Sequence, residues 1–271
     1  MSPASRTKRD EAIRMKRFDE LDMDISPEDL TRTQREIFEE LKAIVYYQFS
    51  AKKKGLRGFI LHGPPGTGKT TIVKLLAKEV GAHLSSPLYL IFVDGSDIAR
   101  PRYGDSEERL NKIFNEASKD TGHYLVLFDD IESLVLSRES SISKDWHYSL
   151  NAIFFHRVDE LDTTRSIVFC TTNKYGLVDD AIRDRFYEIE LGKPTKEEMK
   201  KIAKLLFEKR YQIEEDFPKE IVFKLIDQGK CETIRDVENL VIKEYINAVR
   251  AKYGMMSKKK KENKRVSAIF K

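Results

Sequence analysis

The sequence predicts an α/β fold: a parallel sheet of five strands with flanking helices, followed by a small all-α domain. Three observations carry this expectation. Residues 58–191 alternate short apolar runs of strand length with runs whose apolar residues recur at helical spacing, as in consecutive βα units. The first strand-to-helix junction is a glycine-rich turn, Gly63-Pro64-Pro65-Gly66-Thr67-Gly68-Lys69-Thr70. Past Gly192-Lys193-Pro194-Thr195 the strand pattern stops and only helical periodicity remains.

The elements follow in order. Residues 1–17 read as disordered. Ser26-Pro27-Glu28-Asp29 has the form of a helix start, with Ser as N-cap and acids in the first turn. Leu30, Ile37, Phe38, Leu41, Ile44, Val45 and Phe49 then keep helical spacing until Lys52-Lys53-Lys54-Gly55 stops it. Strands are expected at 58–62, 89–94, 124–130, 166–173 and 187–191. Helices are expected at 71–80, 105–119, 146–161 and 178–186. Residues 99–104 and the Ser-rich stretch 132–145 read as loops. Thr195 with Glu198 forms a capping box for a helix to about residue 211, and helices at 218–228 and 233–253 complete the chain. The expected divisions are a basic segment 1–25, an α/β domain 26–192, a helical domain 193–254 and a basic tail 255–271.

Composition narrows the class. The chain has 271 residues, 40% hydrophobic and 35% charged, enough for a core and too charged for a membrane span. No apolar N-terminal segment follows the basic start, so a cytoplasmic location is expected. Cys170 and Cys231 stand far apart in apolar or helical surroundings and read as buried thiols, not as a disulfide or metal framework. The net charge of +4 is uneven: residues 1–17 carry +4 and 257–271 carry +6, leaving −6 for the body. This argues against a broad nucleic-acid face on the body, while the tails could touch a polyanion or simply aid solubility.

The glycine-rich turn matches G-x-x-x-x-G-K-[ST], and its strand and helix flanks are the context that makes such a match a phosphate site. Gly66 and Gly68 let the backbone turn its N–H groups toward an anion. The N-terminus of the following helix, at Thr71, adds its positive dipole end. Lys69 is suited to reach β- and γ-phosphates, and the Thr70 hydroxyl to ligate Mg²⁺. Asp129 and Asp130 close a buried strand, where ligands bind in open α/β sheets. Asp129 could hold Mg²⁺ through water or hydrogen-bond Thr70; alternatively, the pair could be satisfied by neighbouring N–H groups.

By this point the order of parts resembles the AAA+ ATPase superfamily, most closely the AAA family, over roughly residues 52–253. GPPGTGKT is the form its phosphate loop usually takes. YLVLFDDIESL resembles the Walker B strand, IVFCTTNK the sensor-1 strand, ARPRYGDSEERLNKIFNEA the pore loop with its helix, and VDDAIRDRF the arginine-finger segment. The resemblance implies hydrolysis of Mg-ATP at subunit interfaces of a homomeric ring, usually a hexamer. Asn173 would orient the attacking water. Arg185, then Arg183, would reach a neighbour's γ-phosphate. Arg235 stands where sensor 2 lies in many AAA+ proteins, although the AAA family itself usually has a small residue there. The adenine pocket would come from residues 23–25 and the helical domain.

Three departures bear on function. Asp130 stands where the family has Glu, so its carboxylate falls about 1.5 Å short, and a misplacement near 1 Å costs about a hundredfold in rate; Glu132 is a poorer substitute. Asp184 interrupts the arginine segment, where Arg183 and Arg185 could also make surface ion pairs. Arg102 occupies the usual aromatic place of the pore loop, with Tyr103 beside Gly104; Tyr103 could grip a polypeptide or be an ordinary loop residue. Three readings follow. The first is a ring ATPase that remodels protein, working on a substrate or adaptor. The second is a nucleic-acid-handling ATPase using Arg100, Arg102 and the tails. The third is an ATP-switched assembly factor with slow turnover.

Overall fold

The structure, a computed structural model, describes residues 13–98, 105–135, 145–211 and 219–269. The described residues within 1–23, 36–63 and 69–190 form one compact unit. Those within 24–35, 64–68 and 191–271 form another.

In the first unit a six-stranded sheet has the order β1-β3-β4-β5-β2-β6. Its strands are β1 (Met15–Arg17), β2 (Gly58–His62), β3 (Leu88–Asp94), β4 (His123–Asp129), β5 (Ser166–Thr172) and β6 (Tyr187–Glu190). β2 to β6 are the five expected parallel strands. β5 is buried at every position and β4 at all but its last. That explains why these strands read as continuous apolar runs. Because β2 pairs with β5 on one side and β6 on the other, the chain leaving β2 must cross β5 and β4 to reach β3. This sets the carboxyl ends of β2, β4 and β5 side by side.

The helices of this unit are α1 (Arg32–Ser50, entering it at Glu36), α2 (Lys69–Gly81), α3 (Gly95–Ile98), α4 (Asp105–Ala117), α5 (Asp145–Glu160) and α6 (Asp180–Arg183). α2 packs on β3, β4 and β5, while α4 packs on β4 and α5. Phe114, Phe128 and Phe154 meet in that core with ring centroids 5.2–5.9 Å apart.

The sixth strand corrects both the count of five and the expectation that residues 1–17 are disordered throughout. β1 runs antiparallel along the free edge of β3, with Met15 opposite Ile91 and Arg17 opposite Tyr89. All three of its side chains are exposed, so it has no apolar alternation to betray it. Its signal is the unpaired edge of β3, which exists only once the sheet is assembled. Phe18 then lies against α2, where a Cβ on Gly81 would fall 2.4 Å from the Phe18 Cβ.

The second unit holds α7 (Lys196–Leu205), α8 (Lys219–Asp227) and α9 (Ile234–Ile269). Met199, Ala203, Phe207, Val222, Ile226 and Val237 form its core. The Thr195–Glu198 capping box opens α7 as expected, and Tyr211 N closes a π-turn on Leu206 O at 2.9 Å. α9 runs beyond the expected end at 253, through to Ile269. The box at Ser26 starts only a 3-10 turn, Pro27–Asp29, because Leu30 is extended. The true start of α1 is a second box: Gln34 N donates to Thr31 Oγ1 (3.2 Å) and Thr31 N to Gln34 Oε1 (3.0 Å). Cys170 and Cys231 are both free and buried. Among the described residues no helix is long and apolar enough to cross a membrane.

Gly58 shows how tightly the sheet is built. A Cβ there would lie 2.1 Å from the Phe186 ring and 2.3 Å from the Val168 carbonyl oxygen. Gly58→Ala is expected to destabilise the chain by about 1–3 kcal/mol, read as a fall in the melting temperature. An unchanged melting temperature would show that β2 and β5 can separate without cost.

Candidate functional site

Each end of the glycine-rich loop is fixed by contacts within its own unit. In the second unit, Thr67 Oγ1 donates to Pro64 O (3.0 Å), Ile234 N to Gly66 O (3.0 Å) and Gln34 Nε2 to Thr67 O (2.8 Å). Gly66 (φ 73°) and Gly68 (φ 93°) take left-handed conformations that favour glycine. A Cβ on Gly66 would sit 2.6 Å from Arg235 Cβ, and one on Gly68 would sit 2.5 Å from Gln34 Nε2. The start of α9 and that of α1 thus close on the loop. Among the described residues Arg235 makes no ion pair with Asp236 or Glu238. Asp236 instead caps α9 through Thr233, and Glu238 pairs with Arg210. A cleft of about 180 Å³ in this unit is lined by Thr31, Gln34, Thr67, Gly192, Glu198 and Ile234, among others.

In the first unit the strand ends converge. Lys69 is 6% exposed, and its Nζ donates to Gly63 O (2.9 Å) and Asn173 Oδ1 (2.8 Å). Asn173 Nδ2 donates in turn to Asp130 Oδ1 (2.9 Å). Thr70 Oγ1 donates to Asp129 Oδ1 (2.6 Å), which also accepts the Thr171 hydroxyl. Lys69, Asn173 and Asp130 therefore form one hydrogen-bonded chain, with Thr70 and Asp129 beside it. These are the residues that the motifs single out from three separate stretches. Thr171 is an addition, and its only sequence signal is a polar residue closing an apolar strand.

Asp130 leaves β4 in the left-handed conformation (φ 52°, ψ 53°), before a 3-10 turn at Ile131–Ser133. Asp tolerates this region better than most residues, because its short side chain can bond locally. Gly95 makes room for the bend: a Cβ there would meet Asp130 O at 2.6 Å. Burial, then the charges of Glu132, Asp129 and Asp94, push the Asp130 carboxyl above its ordinary value, with Lys69 opposing. The 3-10 turn makes Glu132 a buried residue, 9% exposed, whose Oε2 has no hydrogen-bond partner among the described residues.

The two arginines differ. Arg185 forks onto Asp159 (3.2–3.3 Å), donates to Ala181 O (3.1 Å) and lies 5.1 Å above the Phe155 ring. Arg183 pairs with Asp180 (3.1 Å), donates to Tyr175 O (3.1 Å) and lies 4.6 Å over the Tyr175 ring. Tyr175 also stacks on His62 at 4.2 Å and donates to Glu188 Oε2 at 2.6 Å. Burial, then the Glu188 bond, push its phenol up to about 12. No motif announced this His62–Tyr175–Glu188 cluster, because it joins three strand ends distant in sequence. Arg100, Arg102 and Tyr103 lie outside the described residues.

Residues 59–193 match the model of the "ATPase family associated with various cellular activities (AAA)". The chain belongs to the AAA family. This AAA chain is 37% identical over 153 residues to the "Cell division cycle protein 48 homolog" of Archaeoglobus fulgidus, covering 55% of this chain and 20% of that protein. It is 33% identical over 193 residues to the "Putative 26S proteasome regulatory subunit homolog" of Methanothermobacter thermautotrophicus, covering 69% and 48%. It is 35% identical over 146 residues to the human "ATPase family gene 2 protein homolog A", covering 51% and 16%. The chain thus spans between a sixth and about half of the length of these relatives.

The donor set fits a magnesium nucleotide. Lys69, a buried ammonium at the first position of α2, donates to Gly63 O and Asn173 Oδ1, and a charge so placed suits an anionic ligand. A hydroxyl bonded to a carboxylate, as in Thr70–Asp129, is a sparse oxygen set of the kind that suits Mg²⁺, which keeps most of its waters.

The raised carboxyl of Asp130 gives a pH test. Between its ordinary pKa of 3.8 and its higher folded value, the folded chain binds more protons than the unfolded one, so stability falls as pH rises. Above that window the penalty is complete. Asp130→Asn is expected to melt higher than the native chain at neutral pH, with the gap closing on acidification through the carboxylate range. A variant that melts lower at neutral pH would contradict the burial account.

Proposed function

We propose that this chain binds and hydrolyses Mg-ATP at the interfaces of a homomeric ring and uses the cycle to remodel a protein substrate. The observation that carries the reading is the junction of Lys69, Asn173 and Asp130 beside Thr70–Asp129. In this reading the backbone N–H groups of Gly63 to Thr71 hold the phosphates, and Lys69 exchanges its two neutral acceptors for phosphate oxygens. Thr70 and Asp129 hold Mg²⁺, which neutralises phosphate charge and orients its oxygens. Arg235, beside Gly66, is the proposed contact to the phosphates in cis.

Asp130, oriented by Asn173, positions a water and takes its proton. A raised pKa suits a general base, because proton affinity nearer the working pH favours transfer. The missing methylene remains, so turnover is slow relative to a Glu-bearing site. This feature favours the third reading, an ATP-switched assembly factor, as the slow limit of the same chemistry.

For the residue acting in trans, the geometry moves our choice from Arg185 to Arg183. Arg185 has its fork committed to Asp159, whereas Arg183 has one ion pair, to an Asp180 side chain that is 84% exposed. An ion pair that open to water is worth little and is readily exchanged. Arg102 and Tyr103 are the proposed contacts to polypeptide. The names of the relatives, a proteasome regulatory subunit homolog among them, support a protein substrate and a ring of subunits.

Turnover per subunit is expected to rise with protein concentration and to vanish in Lys69→Ala. Arg183→Ala is expected to be inactive alone, yet to regain part of the activity when mixed with Lys69→Ala, because each then supplies what the other lacks. Absence of any rescue on mixing would remove the trans role of Arg183. Asp130→Glu is expected to raise turnover about ten- to a hundredfold; a fall would show that the site is built for Asp.

A further inference from the structure

The amino ends of β3, β4 and β5 lie about 20 Å from Asp129 and Thr172, at roughly 3.3 Å per residue. A cavity of about 140 Å³ opens there. Its lining includes Lys52, Asp120, Thr121, His123, Thr164 and Arg165. His123 is 8% exposed and stacks on Phe49 at 4.6 Å. Its backbone N donates to Pro87 O (2.9 Å), but its ring Nδ1 has no hydrogen-bond partner among the described residues. A buried polar atom left unpaired is destabilising, so this nitrogen would gain from a hydrogen-bond partner.

The same cavity holds two cations. Among the described residues neither Lys52 nor Arg165 makes an ion pair or side-chain hydrogen bond. Asp120, the acid in the lining, pairs with neither. The hydroxyls are already engaged, Thr121 with Tyr124 OH (2.6 Å) and Thr164 with Asp162 Oδ1 (2.8 Å). The positive charge is felt at the imidazole: burial, then Arg165 and Lys52, hold His123 below the ordinary histidine value. The cavity therefore offers one imidazole nitrogen and two unpaired cations, converging from three separate segments.

We propose that this cavity is a binding site for a small tetrahedral oxyanion, of which inorganic phosphate is the type. The His123 Nδ1–H donates to one oxygen, and Lys52 and Arg165 balance the charge. The site is independent of the nucleotide reading: it uses none of the residues assigned to that chemistry and stands or falls alone.

The test is a titration of the full chain with inorganic phosphate, against sodium chloride at equal ionic strength, followed by NMR of the histidine rings. His123→Gln assigns the signal. The Lys69→Ala background removes binding at the glycine-rich loop. Saturable movement of the His123 ring with phosphate and not with chloride is expected, together with a rise in melting temperature. A Lys52→Asn/Arg165→Gln variant is expected to lose about tenfold in phosphate affinity or more. Asn is chosen because Lys52 has φ 50°, a conformation that Asn accepts. Equal responses to phosphate and chloride would overturn the proposal, leaving a water-filled recess; that comparison on the native residues decides even if the double variant fails to fold. A phosphoserine peptide moving the ring where free phosphate does not would likewise overturn it, in favour of a phosphorylated partner.

Discussion

A buried ammonium that must be hydrogen-bonded is the constraint around which the phosphate-loop end of this AAA chain is arranged. Lys69 is 6% exposed, and its Nζ donates to Gly63 O and the Asn173 amide oxygen. A charge so placed is costly unless hydrogen-bonded. Meeting that need takes the end of β2, the first residue of α2 and the residue after β5 in one place. The strand order β4-β5-β2 supplies this adjacency. Asn173 passes the interaction on to Asp130, so the acid expected to handle water is oriented through the residue that holds the lysine. An anion taken by Lys69 would loosen both bonds at once, tying the acid's orientation to occupancy of the loop.

The acids at the end of β4 divide their roles by environment. Asp129 accepts two hydroxyls, from Thr70 and Thr171. Asp130 turns left-handed into a partly buried place among Glu132, Asp129 and Asp94, and its proton is held more tightly. The exchange of Glu for Asp at 130 shortens one side chain, while the bend permitted by Gly95 determines where the shorter carboxylate sits.

Residues outside the Lys69–Asn173–Asp130 chain also carry chemistry. The His62–Tyr175–Glu188 cluster braces Arg183 from below, joining the residue before the loop to the arginine segment. At the amino ends, His123, Lys52 and Arg165 surround a cavity without an anion of their own within pairing distance. Both groupings are made from residues that look ordinary in the chain and become neighbours only across strands.

Much of this was legible beforehand. The five parallel strands, the loop at 63–70, the Asp129–Asp130 terminus, Asn173 and the helical end of the chain all appear as local patterns. Buried parallel strands read as apolar runs, and a tight phosphate turn needs glycines at set places. Local chemistry determines such features, so the amino-acid order carries them. The packing of β1 on the edge of β3, the choice of Thr31–Gln34 over Ser26 to start α1, the commitment of Arg185 to Asp159 and the burial of Glu132 and His123 were decided by the tertiary structure. Apart from the helix start, which turns on the extended Leu30 nearby, each depends on a partner far away in sequence: an open strand edge, a helix face or a cavity wall. Side-chain pairing and desolvation are properties of neighbours in space, and the neighbours exist only after the sheet has closed.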